Sequence, residues 1–210
     1  VTYISGELKN KSMKVRFFEH TYFTNFSENP VLLDLGACTG EFTRHFLNSY
    51  PTSKSLMIEP LNRNYDVINV IEGRSEKILG AIVGKETDYV IFNEDISSTQ
   101  GGSATVNYFN GIQHTVKGYT LKQLMDKFDK IDLVKVDIEG AEWDMIMNAD
   151  DATLTKPSQY TIEFHDFLHP SFREKTQACI QKLAFLGYKY EAIGTNWMHG
   201  SPYYDMVFYK

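Results

Sequence analysis

The 210 residues include 21 basic and 27 acidic side chains, for a formal charge of −6, with 42% hydrophobic and 14% aromatic content. That balance excludes a disordered chain, and the negative field without any dense Lys/Arg block argues against nucleic acid as a partner. Two cysteines, Cys38 and Cys179, are too few for a disulfide scaffold, so a reducing, cytoplasmic environment is expected. With no apolar run of about 18 residues and no leader with a cleavage site, neither a membrane span nor a signal peptide is expected.

Residues 1–30 read as a lead-in, and 31–210 as one domain with a single core. Within the lead-in, Lys9 to Arg16 holds four basic residues and reads as a solvated face, while Phe17, Phe18, Tyr22, Phe23 and Phe26 suggest an aromatic helix packed on the domain. From Val31 onward, short apolar runs alternate with amphipathic stretches, the pattern of an α/β fold with parallel strands joined by crossover helices. Val31 to Leu35 is the first strand, followed by a glycine turn and a helix through Phe42, Phe46 and Leu47. Ser55 to Ile58 is the second strand, Asn64 to Ile71 a helix ended near Gly73, and Ile78 to Val83 and Tyr89 to Phe92 further strands. Ser97 to Ser103 has turn chemistry and reads equally as a loop over a site or as a connector.

Leu121, Leu124, Met125 and Phe128 share one helix face. Leu133 to Ile138 is the next strand, Glu142 to Met147 a helix, and Tyr160 to Phe164 the fifth main strand. A helix over Ser171 to Leu186 takes Ser171 as N-cap and Gly187 as stop. Lys189 to Ile193 and Asp205 to Tyr209 close the chain as an edge hairpin.

Three segments carry chemistry. In Val31-Leu-Leu-Asp-Leu-Gly-Ala-Cys-Thr-Gly40 a buried strand runs into a Gly-x-x-x-Gly turn. Gly36 and Gly40 permit a backbone path that side chains would block, and the small Ala37 lets a ligand lie close. Amides opening the helix beyond Gly40 suit a carboxylate. The pyrophosphate pattern Gly-x-Gly-x-x-Gly is absent, and Asp34 is placed to accept from an ammonium, which S-adenosylmethionine carries. Second, Glu59, about 20 residues further on, ends its strand in Leu56-Met-Ile-Glu-Pro60. Alone it reads equally as a solvent-facing residue; joined to the turn, it reads as the acceptor of both hydroxyls of a ribose.

Third, Leu133-Val-Lys-Val-Asp-Ile-Glu-Gly-Ala-Glu142 loads the carboxyl end of a buried strand with charge. Asp137 and Glu139 there cost folding free energy unless a cofactor, a metal or hydrogen bonds satisfy them. Glu142 reads as a helix start and Lys135 as an inward ion-pair partner. After the fifth strand, His165 in Ile162-Glu-Phe-His-Asp-Phe-Leu-His169 is the leading general base, with Glu163 on the same side to orient its ring. His165, His169 and Asp137 would form a metal site only if their loop were helical, which Pro170 disfavours, so no metal ligand is assigned and metal dependence is left open. Trp143, Trp197, Tyr203 and Tyr204 read as core or rim aromatics before they read as a sugar platform.

These segments, in this order, resemble the FkbM family of S-adenosylmethionine-dependent methyltransferases over about Val31 to His165. Lys135-Val-Asp-Ile-Glu-Gly-Ala-Glu142 is the most specific part, Asp34 to Thr43 is similar to the family's first motif, and Glu59-Pro60 to its ribose motif. Cys38 stands where the family usually has Asn. The resemblance implies a Rossmann-like, seven-stranded class I methyltransferase sheet and methyl transfer to a hydroxyl oxygen of a sugar, glycan or natural product. It places Asp34, Gly36, Ala37 and Gly40 around the methionine end of the cofactor, Thr43 near its carboxylate, Glu59 on the ribose and Asp137 near the reacting centre. The rival readings are a Rossmann-type oxidoreductase and a catalytically silent partner subunit that keeps the cofactor pocket.

Overall fold

The computed structural model describes residues 12–95, 102–104, 111–196 and 201–210. Lys9, Trp197 and most of the Ser97 to Ser103 loop therefore lie outside the described residues. In chain order the elements are β1 (Lys14–Phe17), β2 (His20–Phe23), β3 (Val31–Leu35), α1 (Glu41–Ser49), β4 (Lys54–Glu59), α2 (Asn62–Val67), β5 (Ser75–Leu79), β6 (Ala81–Ile82), β7 (Tyr89–Glu94), β8 (Gly102–Ser103) and β9 (Ile112–Tyr119). They continue as α3 (Leu121–Met125), β10 (Ile131–Val136), α4 (Glu142–Asn148), α5 (Asp151–Thr155), β11 (Pro157–Glu163), a single 3₁₀ turn (Asp166–Leu168), α6 (Phe172–Phe185), β12 (Lys189–Asn196) and β13 (Ser201–Tyr209).

A seven-stranded sheet runs in the order β12-β13-β11-β10-β3-β4-β5, as the α/β reading implies. The strands from β11 to β5 are parallel, and β13 inserts antiparallel between β11 and β12 to form the edge hairpin. Strands β3 and β10 are buried at every position, because crossover elements cover both faces of a parallel sheet. Chain order reverses between these two neighbours, and the crevice of a doubly wound sheet opens at that point.

Alternation sorts the sheet's two faces. Leu33, Leu35, Val134, Val136, Tyr160 and Ile162 join α4 and α6 in the main core, whereas Leu32 and Leu133 join Tyr22, Phe42 and Phe46 on the other face. Helix α6 ends in a Schellman turn: Gly187, at φ 93°, donates to Ala184 O at 3.0 Å, and Tyr188 donates to Leu183 O at 3.2 Å. Ser171 precedes α6, but its side chain does not cap it and pairs instead with His169 Nδ1 at 2.8 Å.

Two further expectations change. The aromatic lead-in forms a hairpin, β1-β2, in place of a helix. Its residues alternate, so Tyr22 reaches Phe42 and Phe46, while the amides of Thr21 and Phe23 donate to Thr161 Oγ1 (3.0 Å) and Gln159 Oε1 (2.8 Å) on β11. A helix could not offer free amides at that two-residue spacing to a strand's side chains. The other change is the small sheet β6-β9-β7-β8, which contains a strand, β9, that was not expected. Its Ile-Gln-His-Thr-Val-Lys-Gly-Tyr run leaves most positions exposed or half-buried, so the usual apolar alternation is missing.

Candidate active site

At the sheet's carboxyl edge a cavity of about 440 Å³ opens between the turns that follow β3, β4, β10 and β11. The β3 turn is held by Gly36 N and Ala37 N, which both donate to Ile58 O at 3.0 Å. Gly36 is required there for a reason internal to the fold: at φ 77°, an added Cβ would lie 1.8 Å from Asp137 O. The glycine lets the β3 and β10 turns touch. Gly36, Ala37, Cys38 and Thr39 line the cavity. Gly40, also at φ 77°, opens α1 and faces Ile68 and Met57, away from the cavity.

Asp34 and Thr43 are not on the wall. Both are buried, and Thr43 Oγ1 donates to Asp34 Oδ2 at 2.7 Å. Lys135 Nζ stands 3.5 Å from Asp34 Oδ1 and 3.5 Å from Asp137 Oδ2, and donates to Gly36 O at 2.6 Å. Burial works against its charge, but Asp137 and Asp34 outweigh it and push the ammonium up to about 12. Asp34 therefore anchors a buried lysine beneath the turn, and the contacts with a ligand's ammonium and carboxylate that the resemblance implied for Asp34 and Thr43 have no direct route. Lys135 is the inward ion-pair partner it was expected to be.

Glu59 lines the cavity and is 4% exposed. Its Oε2 accepts from Cys38 N–H at 2.8 Å; its Oε1 accepts from Leu61 N–H at 3.0 Å and Asn64 Nδ2 at 3.3 Å. Burial pushes its carboxyl up to about 7, against those three hydrogen bonds. A carboxylate has about four acceptor positions, so three are taken and one, on Oε2, is left. That departs from the expected two-hydroxyl grip.

The opposite wall carries the imidazole and carboxylates. His165 is 2% exposed; its Nδ1 meets Glu142 Oε1 at 2.9 Å, and its Nε2 faces Glu139 (3.3 Å), Glu163 (3.6 Å) and Asp137 (3.7 Å). Glu142, fully buried, also accepts from Gly140 N–H at 3.0 Å. The carboxylate that orients the ring is therefore Glu142 and not Glu163, because the turn after β10 folds the start of α4 under the imidazole. Glu139 reaches the ring from a left-handed backbone, at φ 53°.

Although burial lowers the affinity of His165 for a proton, Glu142, Glu139 and Glu163 raise it further, and the ring is held well above its ordinary value. Burial raises Asp137, but Lys135 and the two imidazoles of His20 and His165 outweigh it and hold the carboxyl well below the usual range. Glu163 moves the other way: burial first, then the charge of Asp137, push it up to about 8.

His20 was not singled out by sequence. It comes from the hairpin, is buried, and places Nε2 3.8 Å from Asp137 Oδ2, with burial as the main cause of its lowered pKa. Only an alternating reading of residues 14–23 could have aimed it at the sheet. The trio of His165, His169 and Asp137 is not brought together, since His169 is exposed and its Nδ1 pairs with Ser171 Oγ. Two other groups do bring their ligating atoms within 4.8 Å of one another: Asp137, Glu139 and His165, and His20, Asp137 and Glu163. Trp143 is core, donating to Thr176 Oγ1 at 2.8 Å, whereas Tyr204 lines the cavity with Phe18 and Phe167. Gly102, within the polar stretch, and Ala104, just after it, also border it. No helix among the described residues is long and apolar enough to cross a membrane.

The model of the methyltransferase FkbM domain matches residues 34–190. The chain is also similar to methyltransferase sdnD of Sordaria araneosa, 22% identical over 172 residues that make up 64% of this chain and 66% of that protein. Among solved structures it is similar to the Methanococcus jannaschii fibrillarin pre-rRNA processing protein (TM-score 0.49, 11% identity, 98% of this chain and 84% of that one). Another is a precorrin-6y C5,15-methyltransferase from Geobacter metallireducens (TM-score 0.46, 14% identity, 87% and 82%). The chain belongs to the FkbM methyltransferase family, and its fold is the Rossmann-like class I methyltransferase fold.

Proposed function

We propose that this FkbM-family protein transfers the methyl group of S-adenosylmethionine to a hydroxyl oxygen of a small-molecule or glycan acceptor. One observation carries the reading: a single cavity joins the β3 turn and Glu59 on one side to the Asp137, Glu139 and His165 cluster on the other.

The residues present fit the donor. About 440 Å³ lies within the range of small-molecule sites. Ile58, Pro60, Leu61, Ile82 and Phe92 line the part beside Glu59 with apolar surface suited to an adenine. The spare acceptor on Glu59 suits one ribose hydroxyl, and the turn of Gly36, Ala37 and Cys38 adds close backbone. When bound, S-adenosylmethionine supplies an electrophilic sulfonium methyl.

The chain's own task is to align an acceptor oxygen and receive its proton. Asp137, 30% exposed at its side chain, stays ionised and faces the cavity, so it can hold an acceptor hydroxyl by hydrogen bond. His165, fixed by Glu142, and Glu139 complete the wall onto which the proton is passed; Glu163, nearest neutrality, is the member best matched to exchange it. The tyrosine and phenylalanines at the mouth, Tyr204, Phe18 and Phe167, offer faces for a ring-shaped acceptor.

The test is incubation with tritiated S-adenosylmethionine and a panel of sugars, glycans and phenols. Label should enter an ether linkage, and Asp137→Asn should cut turnover at least ~100-fold while leaving S-adenosylhomocysteine affinity nearly unchanged. Label found on nitrogen or carbon would refute hydroxyl transfer. Cofactor binding without transfer to any acceptor would favour the silent partner subunit.

A further inference from the structure

We propose that Asp137, Glu139 and His165, with Glu163 beside them, form a divalent-cation site in this cavity, filled by a hard ion of the magnesium or manganese type. The proposal shares its cavity with the methyl-transfer reading but is tested by binding alone, so either can fail without the other.

The argument starts from one imidazole. Glu142 Oε1 accepts from the amides of Gly140 (3.0 Å) and Ile138 (3.3 Å) and stands 2.9 Å from His165 Nδ1. The other nitrogen, Nε2, is thereby directed at the cavity, where Glu139 Oε2 (3.3 Å), Glu163 Oε1 (3.6 Å) and Asp137 Oδ1 (3.7 Å) surround it. The ligating atoms of Asp137, Glu139 and His165 all lie within 4.8 Å of one another, so a single divalent ion can take one donor from each.

The spacing fits. Ligand atoms about 2.1 Å from a common ion stand about 3.0–3.4 Å apart, so contractions of a few tenths of an ångström would seat one. Charge agrees as well: Lys135 is the lysine on this wall, and it is shared with Asp34, behind the wall. Two carboxylates and one imidazole, with no thiolate in the cluster, suit an octahedral, oxygen-preferring ion completed by water and not a closed tetrahedral zinc site. Glu142 behind His165 supplies the carboxylate–histidine support that metal-bound imidazoles use. Asp137 and Glu139 remain 30% and 26% exposed at their side chains, so the site faces the cavity and leaves coordination positions for water or an acceptor hydroxyl. An ion there would lower the proton affinity of a bound hydroxyl, the chemistry the proposed acceptor needs.

The experiment uses the full chain, freed of metal with EDTA and titrated with Mn²⁺, the free ion being read by its six-line EPR signal. The expected result is one Mn²⁺ per chain, displaced by excess Mg²⁺, with affinity at least ~10-fold weaker in Glu139→Gln and ~10–100-fold weaker in Glu142→Gln, which weakens the support behind the ring without removing a ligand. Circular dichroism and S-adenosylhomocysteine binding establish that each variant is folded. Two outcomes would overturn the proposal: Mn²⁺ staying free in protein that binds S-adenosylhomocysteine, or Mn²⁺ binding equally tightly to the wild type and both variants.

Discussion

Replacing Glu59 by Gln separates the cofactor-binding role of this side chain from its structural one. Three of the carboxylate's acceptor positions are used by Cys38 N–H, Leu61 N–H and Asn64, and the fourth faces the cavity. Gln keeps an oxygen for Leu61 and Asn64 but sets an NH₂ group against the Cys38 amide, at a cost of about 1–3 kcal/mol in stability. Losing one charge-assisted hydrogen bond to a ribose hydroxyl removes about 1.5–3 kcal/mol of binding, a ~10- to 150-fold weaker Kd. Isothermal titration with S-adenosylhomocysteine reads this directly. A second signature follows from the carboxyl's value of about 7 against 4.5 for the unperturbed group. Because the folded state holds this proton more tightly than the unfolded state, the contribution is fully present below pH 4.5. It is lost as pH rises through about 7, by ~3 kcal/mol in all. Cofactor affinity should run the opposite way, falling below pH 7 as the acceptor is protonated. A folded Glu59→Gln variant whose Kd stays within twofold of wild type would refute the ribose assignment.

Three further outcomes follow from the geometry. Gly36→Ala would force a Cβ to 1.8 Å from the Asp137 carbonyl, a clash between two backbones that should exceed the ~4–5 kcal/mol of exceptional mutants and abolish soluble folded protein; recovery of a normal melting curve would contradict the close approach. Lys135→Met leaves Asp34 and Asp137 without their shared cation, costing ~3–5 kcal/mol and lowering Tm by roughly 6–20 °C by calorimetry. Thr43→Val removes the donor to buried Asp34, so stability should drop by ~1–3 kcal/mol with cofactor affinity unchanged. A Kd raised more than ~10-fold would return Thr43 to the ligand.

The sheet was legible because its strands are buried on both faces and spell near-continuous apolar runs, as in Val31 to Leu35 and Leu133 to Val136. Gly36, Ala37 and Glu59 were legible as wall residues because a glycine turn and an acid at successive strand ends mark the crevice of this topology. Asp34, Gly40 and Thr43 do not line the cavity, for a physical reason. Sequence gives spacing along the chain, but whether a side chain points to the ligand or back into the protein depends on the neighbouring strand, here on Lys135. The crowding around His165 was equally hidden, since it results from four carboxylates arriving from the turn after β10, from α4 and from β11. The small sheet was missed because β9 lacks a buried face to betray its period.

The β1-β2 hairpin sets a limit on how this molecule can be trimmed. It precedes the span matched by the family model, which starts at residue 34, yet it shields Gln159 and Thr161 and brings His20 against Asp137. A fragment begun at the family boundary would uncover a row of polar groups on an interior surface and lose one side of its reaction chamber. Such a fragment could keep its Rossmann-like sheet and still be inert, and its silence would say nothing about the intact chain.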